Sequence, residues 1–219
     1  MNLITYPTKT EILDQLYRQL NGFFAMNEDE KQEIAAKMDA VFELCERNFA
    51  ASENKYYFTF NDGVKTPRFN ATHAVQWMTF LYYLSHELYL DNKVPFLCDK
   101  VYYLNKVMHA VDLFYAIDLP AYWGAEHPLG SVMGRAHYSN GFFFYQGCTV
   151  GGTRDKGGNL FYPVLEENVH MYANSSILGN CHIGKNVNIG AGALVKNQDV
   201  PENSIVFGQS PNLIIKPIR

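Results

Sequence analysis

The sequence predicts an α+β protein: an α-helical N-terminal domain over residues 1–116, then a C-terminal parallel β-helix over 117–219 that extrudes a loop at 151–163. Three observations carry this prediction. Apolar residues recur at helical spacing up to about Ala116, then every six residues, and a glycine-rich stretch interrupts the six-residue rhythm.

The helical half is punctuated by caps. Thr8-Lys9-Thr10-Glu11 reads as an N-terminal capping signal ahead of Ile12, Leu13, Leu16, Leu20 and Phe23. Asn27-Glu28-Asp29-Glu30 opens a second helix, with Ile34, Met38, Val41, Phe42 and Cys45 on one face. Tyr56 to Gly63 reads as a short strand or loop ending in the turn Asn61-Asp62-Gly63. Asn70 is expected to cap a third helix running to about Leu88, and Val94 to about Val111 reads as a fourth. His73, His86 and His109 fall in this half and read as ordinary surface or half-buried side chains.

The second half has another period. Leu165, Met171, Ile177, Ile183, Ile189 and Val195 stand six residues apart. Four places after them come Val169, Ser175, Cys181, Val187, Ala193 and Asp199, mostly small. Neither an α-helix nor an ordinary strand repeats every six residues, but a three-sided coil of hexapeptides does, its branched residues pointing to the axis. Stacked coils then bury a continuous apolar column. The same phase is expected upstream in Val132, Tyr138, Phe144 and Val150, with Ala136, Phe142 and Cys148 four later. Val150 and Leu165 are out of phase by an insertion, Gly151-Gly152-Thr153-Arg154-Asp155-Lys156-Gly157-Gly158-Asn159, which must leave the coil. Loops carried on rigid scaffolds often hold function.

Composition bounds the function. Net charge is −4, which gives no footprint for nucleic acid or an anionic membrane. The first residues carry no leader pattern and no run reaches the roughly 20 apolar residues of a membrane span, so a cytoplasmic protein is expected. Cys45, Cys98, Cys148 and Cys181 show neither CxxC nor zinc-finger spacing and read as free buried thiols.

Tyr145-Gln146-Gly147-Cys148-Thr149-Val150-Gly151-Gly152-Thr153, followed by Lys156-Gly157-Gly158, resembles the serine O-acetyltransferases of the hexapeptide acyltransferase superfamily. The likeness continues through Ile177-Leu178-Gly179-Asn180 and Ile183-Gly184-Lys185-Asn186-Val187-Asn188-Ile189-Gly190-Ala191-Gly192-Ala193. It spans about Asp118 to Pro217, and a helical domain ahead of the β-helix is also that family's architecture. The resemblance implies a left-handed β-helix, a homotrimer or dimer of trimers, and acetyl-coenzyme A as the donor to a small-molecule hydroxyl. No metal is required.

In this family a histidine after an acidic residue, in the coil before the Gly-Gly-Thr loop, is the general base; here Glu126-His127 takes that place. The chemistry fits: an alcohol is a weak nucleophile at neutral pH, and imidazole can take its proton as attack on the thioester begins. A carboxylate would orient the ring, and Asp118 or Glu126 could serve. The family's Arg-His-Pro after the Gly-Gly pair grips the acceptor carboxylate, but here the chain reads Phe161-Tyr162-Pro163. Tyr162 thus stands near the histidine position, and Arg154 is the loop residue expected to replace the charge. A neutral acceptor, such as a sugar hydroxyl of a surface-polysaccharide precursor, would need no such grip. By position, Gly179, Ala191 and Gly192 are expected to flank the pantetheine arm between subunits, with Lys196, Lys216 and Arg219 at the nucleotide phosphates.

A rival reading rests on His137, His170 and His182, which fall at corresponding places of their hexapeptides. Three histidines on a trimeric solenoid are similar to the ligand set of γ-type carbonic anhydrases.

Overall fold

The computed structural model describes residues 2–218. The chain divides into two compact units, Met1–His109 and Ala110–Arg219, so the break falls a few residues ahead of the expected 116/117 boundary. The last helix ends at His109, and Asp112–Leu113 already pairs with Val132–Met133 as the first rung of the β-helix. Among the described residues no helix is long and apolar enough to cross a membrane.

In the first unit, β1 (Ile4–Tyr6) leads to α1 (Lys9–Phe23) and α2 (Glu28–Ala50). Thr8 caps α1 in a reciprocal box with Glu11, and Asn27 does the same for α2 with Glu30. Ile12, Leu16 and Leu20 are buried as the spacing requires, but Phe23, on the last turn, is exposed. The hairpin β2 (Phe58–Asn61) and β3 (Val64–Asn70) turns at Asp62-Gly63, both at positive φ. β3 lies between β1 and β2 in a three-stranded sheet. The cap of α3 (Ala74–Asp91) is His73, whose ring Nδ1 accepts from Gln76 N, rather than Asn70, which ends β3. α3 is buried all round from Gln76 to Ser85, with Trp77 stacked on Phe80 at 4.9 Å. α4 (Leu97–His109) completes the unit; it starts later and stops earlier than its apolar pattern suggested.

The second unit is a left-handed parallel β-helix of three faces. The first face stacks Asp112–Leu113, Val132–Met133, Thr149–Gly151, Ser176–Leu178 and Leu194–Lys196. The second stacks His137–Tyr138, Val164–Leu165 and His182–Ile183. The third stacks Trp123–Ala125, Phe142–Phe144, His170–Met171, Asn188–Ile189 and Ser204–Phe207, and is closed by Ile214–Pro217 running antiparallel. From Leu165 to Val195 the six-spaced residues are all fully buried on the axis, as the period demands.

The rhythm slips at both ends. Val132 is 40% exposed, and its neighbour Met133 fills the axis instead. Met133 to Tyr138 is therefore a short side, and Tyr138's hydroxyl, buried there, donates to the Gly134 carbonyl at 2.6 Å. After Val195 the next axial residue is Val200, paired with Ile183, and Asp199 stays outside. The aromatic run is half internal as well: Phe142 and Phe144 are buried on the axis, and only Phe143 and Tyr145 remain partly open to solvent.

The corners are turned by left-handed residues. Asn168, Asn186 and Asn203 all have positive φ, and their amides form a ladder at 3.0 and 2.9 Å. At another corner a Cβ on Gly147 would come within 2.1 Å of Asn174 Oδ1, so the coil above needs a bare backbone there. Each coil is thus locked to the next through the asparagine side chain.

Candidate functional site

His127 sits at the corner joining the third face to the first. The strand Trp123–Ala125 ends there, with Glu126 N donating to Phe144 O at 3.1 Å. His127 takes φ +50, its carbonyl accepts from Leu129 N, and the residue is exposed. A non-glycine residue held in the left-handed region carries strain that its surroundings must impose. Glu126 is also exposed, and its carboxylate accepts from the Tyr145 hydroxyl. Burial, and then that carboxylate, push the Tyr145 phenol above its usual range. Tyr145 in turn stacks on Tyr172 at 5.5 Å with near-parallel rings. Further down the same corner, Ala191 and Gly192 are exposed, and nothing lies within 4 Å of a Cβ placed on Gly192.

A groove of about 510 Å³ opens on the second face. Its lining includes Asp118, Arg135, His137, Tyr162, Pro163 and Val164. Two of the expected site residues, Asp118 and Tyr162, therefore meet here, while His127 and Glu126 do not line it. The short side between Met133 and Tyr138 supplies Arg135 and His137, both exposed. Tyr162 lies flat against backbone: a Cβ on Gly152 would stand 2.8 Å from its ring. That explains the second glycine of the Gly-Gly pair.

The insertion is a small antiparallel hairpin, Thr153–Arg154 against Leu160–Phe161. Asp155 ties its tip by accepting from Gly157 N, Asn159 N and the Asn159 side chain. Those bonds, the Asn159 side chain foremost, hold its carboxyl below the usual range. Arg154, expected to grip the acceptor, folds onto this same tip and donates to the Gly158 carbonyl at 2.7 Å. It does not line the groove.

The remaining candidates separate. Gly179 and Lys196 lie along the corner between the first and second faces, where a second hollow of about 380 Å³ is lined by Lys196, Asn197, Ser210 and Pro211. The smallness of Gly179 is required by stacking, since its Cβ would come 2.1 Å from Asn197 Oδ1 and 2.2 Å from Thr153 Oγ1. Lys216 is exposed on the antiparallel edge strand of the third face, away from Lys196. Arg219 lies outside the described residues. His137 and His182 share the second face, where His182 pairs with Glu166 at 3.2 Å. His170 is on the third, beside Phe143, and burial holds its imidazole below the usual range. Within a protomer these three rings do not converge.

Arg135 and Tyr145 were missed in the sequence. Nothing in the six-residue period marks either as special. Arg135's one sequence signal is its place in the short side, which comes to light only once Met133 replaces Val132 on the axis.

A family model for the bacterial transferase hexapeptide (six repeats) matches residues 162–197. A serine acetyltransferase of Staphylococcus epidermidis is 30% identical over 146 residues, covering 66% of this chain and 67% of the relative. One from Synechococcus elongatus is 32% identical over 126 residues, covering 57% of this chain and 50% of the relative. The chain spans about half the length of several of the curated relatives it matches. Among solved structures, the serine acetyltransferase of Neisseria gonorrhoeae superposes with a TM-score of 0.70 at 25% identity, covering 95% of this chain and 79% of that one. The hexapeptide coils agree with these likenesses: the chain belongs to the serine O-acetyltransferase-like members of the hexapeptide acyltransferase superfamily.

Proposed function

We propose that the protein is an acetyl-coenzyme A-dependent serine O-acetyltransferase that works in the cytoplasm as a trimer or a dimer of trimers. The observation that carries the reading is an exposed acid-histidine turn and a hairpin-bordered groove on one β-helix, in a chain whose relatives are named serine acetyltransferases. The turn and the groove occupy different parts of one protomer. For the two to form one site, a threefold assembly would have to bring His127 of one copy to the groove of the next. The four cysteines are buried thiols outside any disulfide, which suits a reducing compartment.

In that site the His127 imidazole takes the proton of the acceptor hydroxyl. The oxygen attacks the thioester carbonyl carbon, the carbon–sulfur bond breaks, and the leaving thiolate takes the proton back from the imidazolium. Glu126, held by Tyr145, is the carboxylate beside the base in sequence; Asp118 lines the groove and meets the acceptor. The donor's pantetheine arm runs along the small residues Ala191 and Gly192, on the same corner as His127, and Lys196 and Lys216 are candidates for its phosphates.

Thiol release from acetyl-coenzyme A tests the reading, with serine, homoserine and a sugar panel as acceptors. Turnover with serine is expected. No turnover with any amino-acid hydroxyl would overturn the assignment.

A further inference from the structure

We propose that Arg135 is the acceptor's carboxylate grip, the task first expected of Arg154 in the hairpin. This rests on the serine O-acetyltransferase reading and names the residue that would give it its specificity. Three observations converge. The groove beside Tyr162 is lined by Arg135, and by neither Arg154 nor any lysine. Arg154 spends its guanidinium on the Gly158 carbonyl of its own hairpin at 2.7 Å. Among the described residues nothing bonds the Arg135 guanidinium, which is exposed on the short side between Met133 and Tyr138.

The chemistry follows from the fork. A guanidinium presents paired N–H groups that match a carboxylate in two parallel, charge-assisted hydrogen bonds, so an open fork in a groove selects a planar anion. Tyr162, Pro163 and Val164 make one largely apolar wall, and His137 is the polar neighbour of the fork in the lining. Asp118 is the acid of the same groove, and it disfavours a second negative charge on the ligand while suiting an ammonium. The acceptor class is therefore a small hydroxy compound with one carboxylate, and an amino group is welcome. The hairpin then serves as a wall: Gly152 lets Tyr162 lie close, and Asp155 keeps the tip folded.

The test compares L-serine with serinamide, which keeps the hydroxyl and the amine but lacks the anion. The wild-type chain should prefer serine, and Arg135→Ala should raise the KM for serine and lower kcat/KM by about 10²-fold while leaving serinamide unchanged, so that the preference disappears. Arg135→Lys keeps the charge without the fork and should lose about 10-fold. The KM for acetyl-coenzyme A should not move, which also reports that the variants are folded. Equilibrium binding of the same two probes, by calorimetry or saturation-transfer NMR, separates this claim from the function it rests on. If serine binds in preference to serinamide through Arg135 but is never acetylated, the grip stands and the reaction assignment fails. Equal binding of the two by the wild type, or loss of preference in Arg154→Ala instead of Arg135→Ala, would overturn the grip.

Discussion

The helical unit and the β-helix bury their apolar residues by opposite means. In the first, a single helix, α3, is buried nearly all round and packs Trp77 and Phe80 face to face with Phe69 adjoining. That core is one irregular cluster of rings. The second unit buries a column in which each axial residue meets its equivalent above and below, and its corners are fixed by asparagine and left-handed backbone. An irregular cluster can shift locally to absorb a change, because no neighbour must repeat it. A stacked column cannot, since a displaced corner is passed to the next coil. The difference teaches where chemistry can be mounted. The column departs from its period at a short side and at an extruded hairpin, and the groove forms at those two interruptions.

The comparison can be broken at named residues. The largest effect is expected at His127. His127→Ala should lower kcat by about 10²–10⁴-fold with little change in melting temperature, read by thiol release and calorimetry, because the residue is exposed and its loss opens no cavity. A variant with near-normal turnover would remove it as the base. Next comes Gly179→Ala in the column. The added methyl meets Asn197 and Thr153 and is forced to φ +80, so a loss of about 2–3 kcal/mol is expected in denaturant unfolding of the β-helix.

Gly22→Ala supplies the contrast. Gly22 lies in the last turn of α1, and its added methyl meets nothing within 4 Å, so a gain of about 0.5–1 kcal/mol is expected. Equal costs at Gly179 and Gly22 would dissolve the distinction between the two units.

The smallest effect is a pH dependence of the helical unit. Burial alone would raise the Glu30 carboxyl, but the Lys100 ammonium at 2.6 Å and the Asn27 amide outweigh it and hold it below the usual range. A depressed carboxyl stabilises the fold above its unfolded pKa of about 4.3 and loses that contribution as pH falls through the lower folded value. Lys100→Met should therefore flatten the acid side of the melting-temperature profile, with little change in its shape above pH 6.

Much of this was legible in the chain. The six-residue column from Leu165 onward and the caps at Thr8 and Asn27 could be read directly, because each rests on a local rule of period or hydrogen bonding. What failed did so where a distant partner decides. Val132 and Met133 are both apolar, and only pairing with Thr149–Val150 says which of them turns inward. Asn70 looks like a cap, but β3 claims it for the sheet with β1. Arg154 and Arg135 are equally plausible as bare letters. In the structure Arg154 bonds the hairpin's own Gly158 carbonyl, and Arg135 stands open on the short side.

The reversed last strand has a consequence for how these molecules behave in concentrated solution. A parallel coil with an open end is a template on which any similar coil could continue, and end-to-end growth would yield fibres. Ile214–Pro217 runs backwards against Ser204–Phe207 and presents Lys216 and Pro217 at the margin, a charge and a residue with no N–H to offer. The β-helix thus carries its own terminator on the third face. Trimming the chain before Ile214 should bare the Ser204–Phe207 edge, and light scattering reads whether the shortened chain then associates.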